Sequence, residues 1–200
     1  MIVDELYDHV VEKGHVCVGL DTDYSYLPID FAEKFSSKEE AIFNFNKEII
    51  DATYDVAACY KIQIAYYEAF GIGGMKAYSD TLKYIKKKDQ ISIADIKRGD
   101  ISKTAQMYAR GHFTGDFEAD FVTLNPYMGI SDSIEPFMKY IEENNKGIFI
   151  LVRTSNKGSK DFQYKKNKDG VPLYETVAEK IQQLAEKKLG KCGFSSVGAV

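Results

Sequence analysis

The sequence predicts an α/β fold of parallel strands, built either as an open doubly wound sheet or as a closed (β/α)8 barrel. Three observations lead there. Short apolar runs alternate with longer helical patterns along the whole chain. Polar or charged residues gather at the C-terminal ends of five consecutive apolar runs. No composition shift or Pro/Ser-rich linker divides the 200 residues, so a single domain over residues 1–200 is expected.

Taken in order, residues 15–21 (HVCVGLD) read as the first strand, and residues 37–54 follow with helical spacing behind a serine suited to an N-cap. Residues 56–65 are the second strand. A Gly-rich loop follows it, then a helix over residues 75–87. Residues 91–97 form the third strand and residues 102–113 its helix. Residues 121–125 are the fourth strand, with a helix over 133–143. Residues 147–153 are the fifth. A long polar loop then leads to a helix over 173–189, and residues 195–200 begin a sixth strand. Strand–helix alternation of this regularity implies parallel strands joined by right-handed crossovers. A barrel is usually about 250 residues long, so on that reading two further βα units are expected beyond Val200.

The composition is 44% hydrophobic and 28% charged, ordinary for a globular protein. A net charge of −4 argues against nucleic acid as a partner, since such domains carry a basic stripe. The lysine-rich stretches 86–88, 165–168 and 187–191 fall at helix ends or in a loop, where a solvated face is the ordinary role. Cys17, Cys59 and Cys192 are far apart, with no CxxC pair, and read as reduced thiols and small core residues of a cytoplasmic protein. The charged, amphipathic start is not a signal peptide, and no apolar run approaches the roughly 18–20 residues of a membrane span.

Alternate residues of a strand share a face. The third strand therefore sets Ile91, Ile93, Asp95 and Lys97 on one side, apolar first and charged at the C-terminal end. Catalytic groups of parallel barrels sit at that end. Asp100 falls in the turn entering the next helix, where a carboxylate also complements the helix N-terminus. Asp21 ends the first strand in phase with Gly19 and Cys17. Lys61 and Gln63 share the Cys59 face of the second strand. Thr123 and Asn125 are in phase on the fourth, and Arg153-Thr154-Ser155-Asn156 closes the fifth. Taken singly, each has a bland reading: Asp95, Lys97 and Asp100 as an exposed ion-pair cluster contributing about 0–1 kcal/mol, Asp21 as a cap, Ser155 as a turn residue. Five polar strand ends facing one rim describe a site.

These residues also carry a resemblance. The segment DIKRGDISKT, residues 95–104, resembles the Asp-x-Lys-x-x-Asp signature of the orotidine 5′-phosphate decarboxylases, and VGLDTD, YKIQIAYYE, VTLNPYMG and LVRTSN…DFQ resemble a bacterial branch of that family in order and spacing. The match spans nearly the whole chain. Ketogulonate-phosphate decarboxylases share only the DxKxxD kernel and usually use magnesium. The resemblance implies a (β/α)8 barrel whose Gly-Gln-Gly phosphate loop and phosphate-binding arginine would follow Val200. It implies decarboxylation of orotidine 5′-phosphate to UMP with no cofactor and no metal. Lys97 would protonate C6, Asp95 would stand beside the substrate carboxylate, and Lys61 would hold the carboxylates in register. Asp21 and Gln63 would bind ribose hydroxyls, Asn125 would join the substrate site and Ser155 would meet the pyrimidine edge. Asp100, with Ile101 and Thr104, would reach the site of a second subunit in a homodimer.

Two other functions fit the pattern less well. A class I aldolase also places lysines inside a barrel, but a lysine between two carboxylates is held protonated and makes a poor amine nucleophile. The other is a non-catalytic barrel that binds a phosphate ligand.

Overall fold

The structure, a computed structural model, describes every residue from Met1 to Val200. In chain order the elements are α1 (Ile2–Lys13), β1 (Cys17–Gly19), α2 (Ile29–Ala32), α3 (Lys38–Thr53), β2 (Cys59–Gln63), α4 (Ala65–Glu68), α5 (Gly71–Lys87) and β3 (Ile91–Arg98). There follow α6 (Ser102–Phe113), β4 (Phe121–Leu124), α7 (Glu135–Asn144), β5 (Gly147–Ile150), α8 (Ser159–Phe162), α9 (Leu173–Ala185) and β6 (Val197–Ala199). The strand order of the sheet is the chain order, β1-β2-β3-β4-β5-β6. No helix is long and apolar enough to cross a membrane.

The residues group into two compact units. One comprises Glu5–Ile96 with Arg110–Phe121; the other comprises Met1–Asp4, Lys97–Ala109 and Val122–Val200. In the first, β1 pairs with β2 and β2 with β3, all parallel, in the register Cys17↔Cys59, Gly19↔Lys61 and Gln63↔Asp95. Helices α3 and α5 of the same unit pack against each other. Ser37 caps α3, its hydroxyl accepting the Glu40 amide at 3.2 Å, while the Glu40 carboxylate accepts the Ser36 amide at 3.0 Å, a close relative of the capping box. One stripe of α3 buries Ile42, Asn46 and Ile50 at four-residue spacing. Helix α5 buries Ala77, Tyr78, Thr81, Leu82 and Ile85 at spacings of one, three and four.

The Gly-rich segment after β2, expected as a loop, is the first turn of α5, which begins at Gly71. The reason is contact rather than flexibility. A Cβ on Gly74 would stand 2.0 Å from the Tyr67 carbonyl oxygen, so only glycine lets α5 lie this close to α4. The six expected strands and the helices expected over 37–54, 102–113, 133–143 and 173–189 occur where the pattern put them, with ends that differ by a few residues. The expected long polar loop also holds the single turn α8.

In the second unit β5 pairs with β6 in parallel, Ile148↔Val197 to Ile150↔Ala199, and the Leu151 amide donates to the Leu124 carbonyl at the end of β4. Its core is Val122, Leu124, Ile134, Phe137, Ile148, Ile150, Ile181 and Val197, each almost wholly buried. Helix α7 carries Pro136 in its first turn and ends on Asn145 in the left-handed conformation, the stop that shape requires.

Candidate active site

In the first unit the ladder brings three of the expected residues together. The Lys61 ammonium lies 2.6 Å from Oδ2 of Asp95, and the Gln63 amide donates to the same oxygen at 3.0 Å. The register explains this. Gln63 stands directly across from Asp95, and Lys61, two residues earlier on the same face, reaches it diagonally. The Asp95 side chain is only 4% exposed, whereas that of Lys61 is 36% exposed. A carboxylate this buried keeps its charge only with a counter-ion and donors, which Lys61 and Gln63 supply. The surface ion-pair reading of Asp95 is therefore excluded by its burial.

Asp21 follows β1, and the residues on either side of it are pinned. The Leu20 amide donates to the Lys61 carbonyl at 2.8 Å, and the Leu20 carbonyl accepts the Tyr67 hydroxyl at 3.0 Å. The Thr22 hydroxyl donates to Asn46 Oδ1 at 2.6 Å. Asn46 Nδ2 in turn donates to the Tyr67 hydroxyl at 2.8 Å and to Thr81 at 3.1 Å. Thr81 spends its own proton on the Ala77 carbonyl. Every donor in this fully buried cluster has one consistent direction, which fixes the Asn46 amide orientation. Burial also raises the Tyr67 hydroxyl pKa, despite the bond donated by Asn46. Between these anchors, Oδ1 of Asp21 is buried and has no hydrogen-bond partner. An acceptor in that condition is costly unless a ligand donor meets it.

Lys97 belongs to the second unit. It is exposed, and its backbone sits at φ 44, the left-handed region that side chains rarely adopt. Strand phase alone therefore does not aim it; the period-two rule that puts Asp95 with Gln63 stops at this residue. Such a conformation costs roughly 1–3 kcal/mol and persists only where its surroundings over-determine it. The Lys97 amide donates to the Thr123 hydroxyl at 2.9 Å, and the Arg98 carbonyl accepts the Asn125 amide at 2.8 Å. Gly99 lies against Asn125, where a Cβ would come within 3.0 Å of its carbonyl oxygen. The Arg98 guanidinium stacks 5.3 Å from the Tyr108 ring centre.

The remaining expected residues of this unit lie on its loops and in the first turn of α6. Asp100 accepts the amide of Ile101 at 2.8 Å, and Ile101 and Thr104 are exposed at the start of α6. The Asn125 side chain accepts the Tyr127 amide at 3.0 Å, closing a tight turn over 126–128. Ser155 is exposed on the loop after β5. That loop is tied by a reciprocal pair: the Thr154 amide donates to Gln163 Oε1 at 2.9 Å, and Gln163 Nε2 donates to the Thr154 hydroxyl at 2.7 Å. A cavity of about 380 Å³ opens beside it, lined by Asn125, Tyr127, Leu151, Thr154, Gln163 and Tyr174 among others.

Reading residues alone did not single out Asn46, Tyr67 or Gln163, and gave Thr123 only a strand phase. One signal was available: an asparagine in the apolar stripe of α3 must find partners when buried. Cys17 and Cys59 are paired across β1 and β2, as free thiols, Cys17 exposed and Cys59 buried. The hydrogen bond from Cys59 brings the Cys17 thiol down to about 7, with Lys61 acting in the same direction against partial burial. The same bond and burial push the Cys59 thiol up.

Residues 14–199 match the sequence profile of the Orotidine 5'-phosphate decarboxylase / HUMPS family. The chain is 62% identical over all its residues to an orotidine 5'-phosphate decarboxylase of Clostridium acetobutylicum, spanning 70% of that protein, and 61% identical to one of Clostridium kluyveri, spanning 68%. Among solved structures it resembles the OMP decarboxylase of Leishmania donovani, with a TM-score of 0.78 and 34% identity over 99% of this chain and 69% of that one. These likenesses bear out the parallel α/β barrel class.

Proposed function

The chain belongs to the Orotidine 5'-phosphate decarboxylase / HUMPS family, and we propose that it converts orotidine 5′-phosphate to uridine 5′-phosphate and carbon dioxide in pyrimidine synthesis. The observation that carries this reading is the pairing of Lys61 and Gln63 with the buried Asp95 carboxylate, two residues before Lys97 in the sequence.

The reaction breaks the bond between C6 and the carboxylate carbon. The electron pair stays on C6, in the plane of the ring, where no adjacent π-system receives it. Electrostatics must stabilise it. We assign that stabilisation to the Lys97 ammonium, which faces the developing negative charge and then transfers a proton to C6, regaining one from water. Charge developing against a preorganised cation is the largest contribution available to such a site.

Asp95 takes the place beside the substrate carboxylate. Two like charges about 4 Å apart repel by about 4 kcal/mol at an effective dielectric of 20, so departure of CO2 relieves that repulsion. Lys61, 2.6 Å from Asp95, supplies the counter-ion a buried carboxylate needs and offsets part of that repulsion once the substrate is bound. Asp21, with its unpartnered buried oxygen, and Gln63 take ribose hydroxyls. Asn125 and Ser155 complete the ring side of the site. Asp100, with the exposed Ile101 and Thr104, serves a second copy in a homodimer. Three free thiols suit a reducing, cytoplasmic setting.

The direct test is incubation with orotidine 5′-phosphate, following loss of its ultraviolet absorbance with and without a metal chelator. Turnover that survives the chelator is expected. Unchanged substrate in the presence of folded protein would overturn the reading.

A further inference from the structure

We propose that Thr123 is a positioning residue for Lys97, holding its backbone in the left-handed conformation from which the ammonium is presented to the substrate. The inference rests on the reading of Lys97 as the proton donor.

In a regular parallel ladder the Lys97 amide would be taken by a main-chain carbonyl of the neighbouring strand. Here a side chain takes it: Thr123 Oγ1, 2.9 Å away, from a residue only 3% exposed in β4. Lys97 stands at φ 44, which a lysine does not hold without support. On the far side of Lys97 the ladder resumes, the Asn125 amide reaching the Arg98 carbonyl at 2.8 Å. Gly99 then lies close against Asn125, where a Cβ would be a tight fit against its carbonyl oxygen. Residues 97–99 are thus stitched to the β4 segment through the Thr123 hydroxyl and the Asn125 amide, and the first of these stitches is a side chain. That hydroxyl is the part of the stitch that a point substitution can remove without disturbing the main chain. Valine has the shape of threonine and lacks the acceptor; serine keeps the acceptor and loses a methyl group.

The test compares Thr123→Val, Thr123→Ser and Thr123→Cys with wild type in steady-state decarboxylation of orotidine 5′-phosphate by the full chain. The expected result is a kcat lowered about tenfold or more in Thr123→Val, because small misplacements of a reacting group cost that much. KM should change less than about threefold and Thr123→Ser should recover most of kcat. If Thr123→Val does not fold, Thr123→Cys, with a weaker acceptor, should show the same split in smaller measure. Wild-type kcat in Thr123→Val, or equal loss of kcat in the Val and Ser variants, would overturn the inference. Absence of turnover in the wild type would instead remove the reading of Lys97 on which it rests.

Discussion

The Lys61 ammonium stands 2.6 Å from Oδ2 of Asp95, a carboxylate whose side chain is 4% exposed. The pair is asymmetric, one partner buried and the other more than a third open to water. The buried partner therefore depends on the exposed one. Lys61→Met should destabilise the chain by about 1–3 kcal/mol, because it takes a cation away from the buried Asp95 carboxylate while keeping the side-chain length. Adding Asp95→Asn should return much of that stability and none of the turnover. Urea unfolding of the single and double variants, alongside a decarboxylation assay, checks both parts.

Lys97→Ala should lower kcat by at least about a hundredfold, the lower end of what a positioned proton donor contributes. Stability should change by less than about 1 kcal/mol, since the side chain is exposed and alanine meets the same left-handed backbone. Near-wild-type kcat would remove Lys97 from the proton-transfer role.

Asn46→Asp should be more damaging than its size implies. Both hydroxyls that accept from Asn46 Nδ2 have spent their protons on the carbonyls of Leu20 and Ala77. An aspartate oxygen there would face two lone pairs inside a buried cluster. A loss of about 2–4 kcal/mol is expected near neutral pH. Burial raises the pKa of such a carboxyl, so its deficit should shrink as pH falls toward the raised value and grow as pH rises through it. Thermal melts of the variant from about pH 5 to pH 8 would show the opposite trend if the cluster tolerated the anion.

Cys17 should react with iodoacetamide with a midpoint near pH 7, since the donated Cys59 thiol lowers its pKa to about 7. Cys59 should stay unmodified over the same range, its pKa being raised by that bond and by burial. Cys59→Ala removes the donor, and the Cys17 midpoint should move up toward the ordinary thiol value of about 8.5. Mass spectrometry of the peptides distinguishes these outcomes.

Mixed dimers of Asp95→Ala and Asp100→Ala subunits should recover part of the turnover that each homodimer lacks, because each mixed dimer can assemble one site with both carboxylates intact. No recovery would show that Asp100 does not act across subunits.

Much of the site was legible in strand phase. Gln63 and Lys61 fall on one face because the period of a strand is two, and the register Gln63↔Asp95 follows once β2 and β3 pair in parallel. The same rule could not reach Lys97, whose left-handed backbone ends the alternation. It could not see Asn46 either, since its partners come from the segments after β1 and β2 and from α5, up to 35 residues away in sequence. The Gly71–Gly74 stretch misled for a related reason: glycine signals a turn locally, but here it permits close contact with Tyr67.

By itself, then, the sequence determined the order of strands and helices and the charged residues at the strand ends, because periodicity and residue type are local properties of a chain. Tertiary structure decided which oxygen of Asp95 Lys61 holds, that Asp21 carries an unpartnered buried acceptor, and that Thr123 takes the amide of Lys97. Those depend on desolvation and on distances between segments remote in sequence, and both exist only once the chain has packed.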